Sequence, residues 1–303
     1  MTAETDTSER VAFDEDDVLI RKKKAPEQRT GVTPASVLKT AADALDALRS
    51  KRPLVLCMTN YVSAGLTANA LLAIGATSVM VDDMGEASQF IKDADSMLLN
   101  VGTITKAQAD VMRAAVSHAN MGGKPWALDP AGVGSLPLRT FTVKELMRRF
   151  PALLRGNASE IAFLAGAETG GRGVDATISS DEVAHSAPRL AGVTRSAVVV
   201  SGATDYVAAE ATPTVAVSNG SPLMARVNGL GSVQGVIGAA FLGALGARGR
   251  WESAVATAVV TAVAGDMAAA KGKTLGAFPA AFIDALDAIT PDVVMKRGSV
   301  KVL

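Results

Sequence analysis

One cysteine, Cys57, occurs in 303 residues. An internal disulfide is impossible, and a cysteine-based zinc site lacks ligands. A reducing, cytoplasmic setting is the simplest expectation for such a chain. Charge of one sign is also missing, since 30 basic residues meet 30 acidic ones. No net field favours nucleic acid or an anionic membrane, so a small ligand is the expected partner. Aromatic residues make up 4% of the chain against 49% hydrophobic residues overall. The core must then be built from Ala, Val, Leu, Ile and Met. The long apolar run over 255–270 is interrupted by Gly265 and Asp266. It is short for a membrane span and reads as a buried helix. Histidine is scarce too: His118 and His185 have no visible partner and read as surface residues.

Residues 1–30 carry an acidic cluster at 14–17 and a basic one at 21–24, with little apolar periodicity and no signal-type segment. The expectation is a solvated tail over 1–35, with a docking arm as the alternative, and a single folded domain over 36–303. From Thr33-Pro34, a good helix start, helical stripes alternate with short apolar runs. Strands are predicted over 54–58, 78–81, 96–101, 125–128, 152–154 and 197–200. Helices are predicted from 33, and over 66–72, 86–94, 106–120, 142–150, 158–165 and 182–191, where Pro188 weakens the pattern. A Gly-rich loop is expected over 166–181. Segments 206–208 and 214–217 alternate as an antiparallel pair would, and helices follow over 252–270 and 278–288. This order predicts an α/β fold with a mostly parallel sheet flanked by helices.

The stretch Arg226-Val227-Asn228-Gly229-Leu230-Gly231-Ser232, continuing to Phe241, is a Gly-rich turn feeding a small-residue helix. A helix start with unpaired amides is an anion site, although such a turn also serves simply to pack a helix closely. Polar residues close five strands: Asn60; Asp82 with Asp83; Asp129; Arg155 to Glu160; and Ser201 with Asp205. A parallel sheet gathers such residues on one edge, where open α/β folds bind ligands. Asp129 and Glu160 are candidate oxygen ligands for Mg²⁺, and Arg155 a candidate phosphate clamp. Singly, these residues serve equally well as turns and caps; as a set they point to function. Cys57 and Trp126 read as core. Met80 reads either as core or as the wall of an apolar pocket.

Several blocks resemble hydroxyethylthiazole kinase: Met58-Thr59-Asn60-Tyr61-Val62, Leu66 to Ala76, Leu99-Asn100-Val101-Gly102-Thr103, Leu128-Asp129-Pro130, Arg155-Gly156-Asn157-Ala158-Ser159-Glu160, Gly171 to Asp175, Asp205-Tyr206-Val207 and Pro222-Leu223-Met224. They follow the family's order from about residue 36 to 288. The resemblance implies a ribokinase-like fold and phosphorylation of the hydroxyl of 4-methyl-5-(2-hydroxyethyl)thiazole by ATP and Mg²⁺, in thiamine salvage. It also implies a homotrimer with sites at subunit interfaces. By the same resemblance, Met80 and Gly229 contact the thiazole, and Arg155 and Ser201 contact ATP. Asn60, Asp129 and Glu160 surround the phosphates and Mg²⁺, and Gly229, Gly231 and Ser232 form the anion hole and catalytic turn. The family usually has cysteine where this chain has Ser232, and a smaller residue at Leu230. Those departures leave two alternatives: a kinase of another heterocyclic alcohol, or a weak homologue that binds nucleotide or thiamine precursors as a sensor.

Overall fold

The structure is a computed structural model that describes residues 29–166 and 178–303. Residues 1–28 of the expected tail lie outside the described residues, as do 167–177 of the expected loop and the Gly171–Asp175 block. The elements run α1 (Pro34–Lys51), β1 (Leu54–Met58), α2 (Ala64–Ile74), β2 (Thr77–Met80), α3 (Met84–Phe90), β3 (Ser96–Asn100), α4 (Lys106–Met121), β4 (Trp126–Asp129), α5 (Pro137–Met147), β5 (Leu153–Asn157) and α6 (Ala158–Leu164). They continue α7 (Ser180–Val183), α8 (Ala187–Thr194), β6 (Ala197–Ser201), β7 (Asp205–Ala208), β8 (Val215–Val217), α9 (Pro222–Arg226), α10 (Leu230–Leu245), α11 (Arg250–Lys271), α12 (Phe278–Ala288), α13 (Pro291–Arg297) and β9 (Val300–Val302).

The strands form one nine-stranded sheet in the order β2-β1-β3-β4-β5-β6-β7-β8-β9. Pairings from β2 through β6 are parallel, and β6 through β9 are antiparallel. The central strands β1, β3, β4 and β6 are largely apolar without alternation because both sheet faces are covered there. Side chains still alternate between two cores, as the period of two demands. Val55, Cys57, Leu98, Leu153 and Val199 enter the core beneath α1, α2, α10 and α11. Leu56, Met58, Met97, Leu99, Leu154 and Val200 enter the other, beneath α4, α5 and α8. Cys57 is buried, and that burial pushes its thiol pKa up, so it behaves as a small core hydrophobe. Trp126 is buried as expected, and its indole N–H donates to Asn120 Oδ1 at 3.1 Å. The segment Ala247–Lys271 has the length and apolarity of a membrane span, but 78% of its most apolar window is buried inside the molecule. It packs against α1, α10 and α12.

Some boundaries differ from the sequence expectation. Strand β5 runs on through Arg155-Gly156-Asn157, because those residues continue the pairing with Val199, Val200 and Ser201 of β6. The helix expected over 182–191 divides into α7 and α8, with Pro188 within the first two positions of α8, where its missing N–H costs no intrahelical bond. The predicted antiparallel pair is present as β7 and β8, and β9 adds a further antiparallel strand that the sequence pattern did not reveal.

The chain makes β2 on one side of β1 and returns to make β3 on the other. The carboxyl ends of β1 and β3 therefore flank a reversal in strand order, the place where open α/β sheets form a crevice. Helix α10 packs across β1, β3, β4 and β5, which brings its amino end to this edge.

Candidate active site

The turn before α10 is built around Gly229, whose φ of 91° is left-handed and unfavourable for a side chain. A Cβ there would also lie 3.0 Å from Ser63 Cβ, so two backbones approach closely. No side chain caps α10. The Leu230 N–H turns back to the Val227 carbonyl at 3.4 Å. The Gly231 and Ser232 amides of the first turn face the positive end of the helix dipole, where an anion is favoured. The expected glycine turn is present, at the amino end of a 16-residue helix.

Beneath this turn lies a buried polar network. Asn60 Nδ2 donates to Asn100 Oδ1 at 3.0 Å and to Ser232 Oγ at 3.0 Å. Asn100 Nδ2 donates to Asp129 Oδ2 at 2.7 Å and to Ser232 Oγ at 3.1 Å. Burial pushes the Asp129 carboxyl up to about 7; Arg155 opposes the shift and Glu160 adds to it. Burial also raises Glu160. Its Oε1 accepts the Gly132 N–H at 2.9 Å and its Oε2 the Asn157 N–H at 2.8 Å. Asn157 Oδ1 in turn accepts the Glu160 N–H, closing a capping box at the start of α6. The candidate metal ligand Glu160 is thus also the N3 partner of the Asn157 cap.

Arg155 is buried as well. Its Nε donates to Gln234 Oε1 at 2.8 Å and its Nη2 to Ser201 Oγ at 2.7 Å. A Cβ at Gly231 would stand 3.0 Å from Arg155 Nη1, so the guanidinium lies directly under the glycine turn. Gln234 Nε2 donates onward to Asp205 Oδ2 at 2.7 Å and Thr261 Oγ1 at 3.2 Å.

The fold thus gathers Asn60, Asp129, Arg155, Glu160, Ser201, Gly229, Gly231 and Ser232 on one edge. Met80 stands apart from these hydrogen bonds. It ends the edge strand β2, paired with Cys57 of β1, and is 38% exposed. His118 bonds the carbonyl of Ala114 in its own helix, and His185 is exposed on the segment joining α7 to α8. Leu230 is only 4% exposed and belongs to the main core, so its bulk is absorbed by packing. Asn100 and Gln234 carry no role in the sequence reading. Their signal was a polar side chain inside an otherwise apolar strand or helix, which in a folded chain requires partners.

Two buried carboxylates suit Mg²⁺. Their desolvation is relieved by a cation, and their oxygens are hard ligands. Among the described residues no group of three or more His, Cys, Asp or Glu gathers that could hold a metal. A pair of carboxylates suits an ion that keeps waters and phosphate oxygens.

The sequence model of the Hydroxyethylthiazole kinase family matches residues 45–292. A hydroxyethylthiazole kinase from Klebsiella pneumoniae is 46% identical over 239 residues, covering 79% of this chain and 91% of the relative. One from Tolumonas auensis is 41% identical over 260 residues, covering 85% and 96%. The solved hydroxyethylthiazole kinase structure from Pyrococcus horikoshii superposes with a TM-score of 0.80 at 33% identity, covering 88% of this chain and 99% of that one. Pyridoxal kinase from Staphylococcus aureus, solved with AMP-PCP and pyridoxal, shares the fold at a TM-score of 0.55 and 12% identity, covering 83% and 98%. With its ribokinase-like three-layer fold, this chain belongs to the hydroxyethylthiazole kinase family.

Proposed function

We propose that this protein transfers the γ-phosphoryl group of ATP to the hydroxyl of 4-methyl-5-(2-hydroxyethyl)thiazole, with Mg²⁺, in thiamine salvage. The observation that carries the reading is the family match over residues 45–292. The uncapped α10 turn over Arg155 and Asp129 gives it a chemistry. Gly229 and Gly231 allow phosphate oxygens close to the backbone amides, which stabilise charge on the transferred group. Arg155, fixed by Gln234 and Ser201, adds positive charge beneath the same turn. Asp129 and Glu160 are the residues that would hold Mg²⁺, and the ion would neutralise phosphate charge. Ser201 completes the nucleotide side, while Met80, Asn60 and Gly229 form the thiazole side. Phosphoryl transfer through a loose transition state depends on positioning and electrostatics, so a serine at 232 is compatible with turnover.

The trimer belongs to the same reading. Tyr61, Val62, Met80 and Met84 are exposed apolar side chains near the carboxyl ends of β1 and β2, at 66%, 59%, 38% and 46%. Such a patch favours burial against a second copy of this chain and would place Met80 at a shared site. A cytoplasmic setting accords with a single reduced cysteine. The test is phosphoryl transfer from Mg·ATP to the thiazole alcohol, with mass measured by light scattering on the same sample. Formation of the phosphorylated thiazole by a trimer is expected. ATP binding without any thiazole product would favour the sensor alternative.

A further inference from the structure

We infer that Asn100 is a positioning residue for phosphoryl transfer, which with Asn60 occupies both acceptor sites of Ser232 Oγ and leaves Ser232 able only to donate. This rests on the kinase reading above. Two backbone donors fix the amide orientations. The Gly102 N–H donates to Asn100 Oδ1 at 2.8 Å, and the Ser63 N–H to Asn60 Oδ1 at 3.0 Å. A backbone N–H only donates, so each contacted atom is the carbonyl oxygen, and both NH₂ groups must turn the other way. Both reach Ser232 Oγ, at 3.0 Å from Asn60 and 3.1 Å from Asn100. A hydroxyl has two acceptor sites and one donor. With both acceptor sites filled, Ser232 has none left for a proton.

Asn100 Oδ1 is itself filled, by Gly102 N and Asn60 Nδ2, so it cannot accept the Ser232 proton. That proton is left for a ligand, and two N–H donors on the oxygen strengthen it as a donor. The pair of asparagines also spans the reversal in strand order between β1 and β3, which pins the crevice where the acceptor alcohol enters. In the reaction, the alcohol oxygen forms its bond to the γ-phosphorus as the bond from that phosphorus to the β–γ bridging oxygen breaks. ADP leaves with that electron pair. The alcohol proton passes to a phosphate oxygen and then to water. Ser232 holds the alcohol oxygen by hydrogen bond and takes no proton.

The experiment is a double-mutant cycle on the full chain, with kcat and KM for both Mg·ATP and the thiazole alcohol. Asn100→Ala and Ser232→Ala are each expected to lower kcat by roughly 10- to 100-fold while each KM moves by less than about threefold. The double variant should fall no more than about threefold below the worse single variant, because both remove one device. Ser232→Thr, which keeps the hydroxyl, should recover most of the loss. Losses that multiply, or a KM effect with kcat unchanged, would overturn the proposal. A second measurement needs no variant: NMR exchange of the asparagine side-chain amides. Asn60 and Asn100 should exchange roughly 100-fold more slowly than exposed Asn228, and equal rates would also overturn it. If the folded wild type makes no thiazole phosphate, the kinase reading fails and the positioning role with it; the exchange rates then decide separately whether the clamp exists.

Discussion

At the scale of single residues, the site is held by side chains whose hydrogen-bonding capacity is nearly used up. Gln234 is the plainest case, because it joins Arg155 to Asp205 and Thr261 across the buried layer. Gln234→Leu keeps comparable bulk and removes every one of these bonds. It strands a guanidinium N–H and a carboxylate, so a stability loss of about 2–4 kcal/mol is expected, read as a lower urea midpoint. An unchanged midpoint would mean that water replaces the amide. Ser232→Cys tests the hydroxyl that Asn60 and Asn100 both hold. A thiol accepts N–H bonds weakly, yet the turn amides remain, so kcat should stay within about tenfold of wild type. Complete loss of thiazole phosphorylation in a folded Ser232→Cys protein would contradict that expectation.

At the scale of elements, α10 carries two duties that conflict with ordinary helix preferences. Its glycines lower helix propensity, but Gly238 and Gly243 sit where a side chain would collide. A Cβ at Gly238 would strike Leu153 of β5 and approach Thr257 Oγ1 of α11. Gly238→Ala gains about 1 kcal/mol of propensity and loses about 1–3 kcal/mol to overpacking. The expected result is a net lower melting temperature; a clear rise would show that Leu153 can repack freely. At the other end, Gly229→Ala places a side chain at a φ of 91° and against Ser63. That cost, about 1–2 kcal/mol of backbone strain, falls on the turn itself. Phosphoryl transfer should therefore drop at least about tenfold while the far-UV circular dichroism stays native.

At the scale of the whole molecule, one edge of the sheet concentrates buried carboxylates. Burial holds Asp129 up at about 7 and also raises Glu160 and Asp205. In the unfolded chain these groups lose their protons in the ordinary carboxylate range. Between that range and pH 7 the folded state binds more protons than the unfolded one, so stability falls as pH rises through the window. Thermal unfolding without Mg²⁺ should show this contribution as a lower melting temperature at pH 8 than at pH 5.5. Asp129→Asn should flatten the dependence and raise the midpoint at pH 8 by several degrees. Added Mg²⁺ should stabilise the wild type at pH 8 more than Asp129→Asn. Equal Mg²⁺ effects on the two proteins would remove Asp129 from the metal site.

The sequence by itself determined the alternation of elements, the parallel sheet and the edge to which the polar strand ends belong. Those follow from local periodicity and from the rule that strand ends in such sheets converge. The glycine turn was legible for the same reason, since φ above zero and close backbone approach leave a mark in residue type. The tertiary structure alone decided the partners of the buried amides. Asn100 and Ser232 are 132 residues apart, as are Gln234 and Arg155 by 79, and no periodicity encodes which polar group meets which across a packed layer. It also decided that Leu230 enters the core and that β9 closes the far edge of the sheet. Both depend on long-range packing, where burial overrides what a single segment prefers.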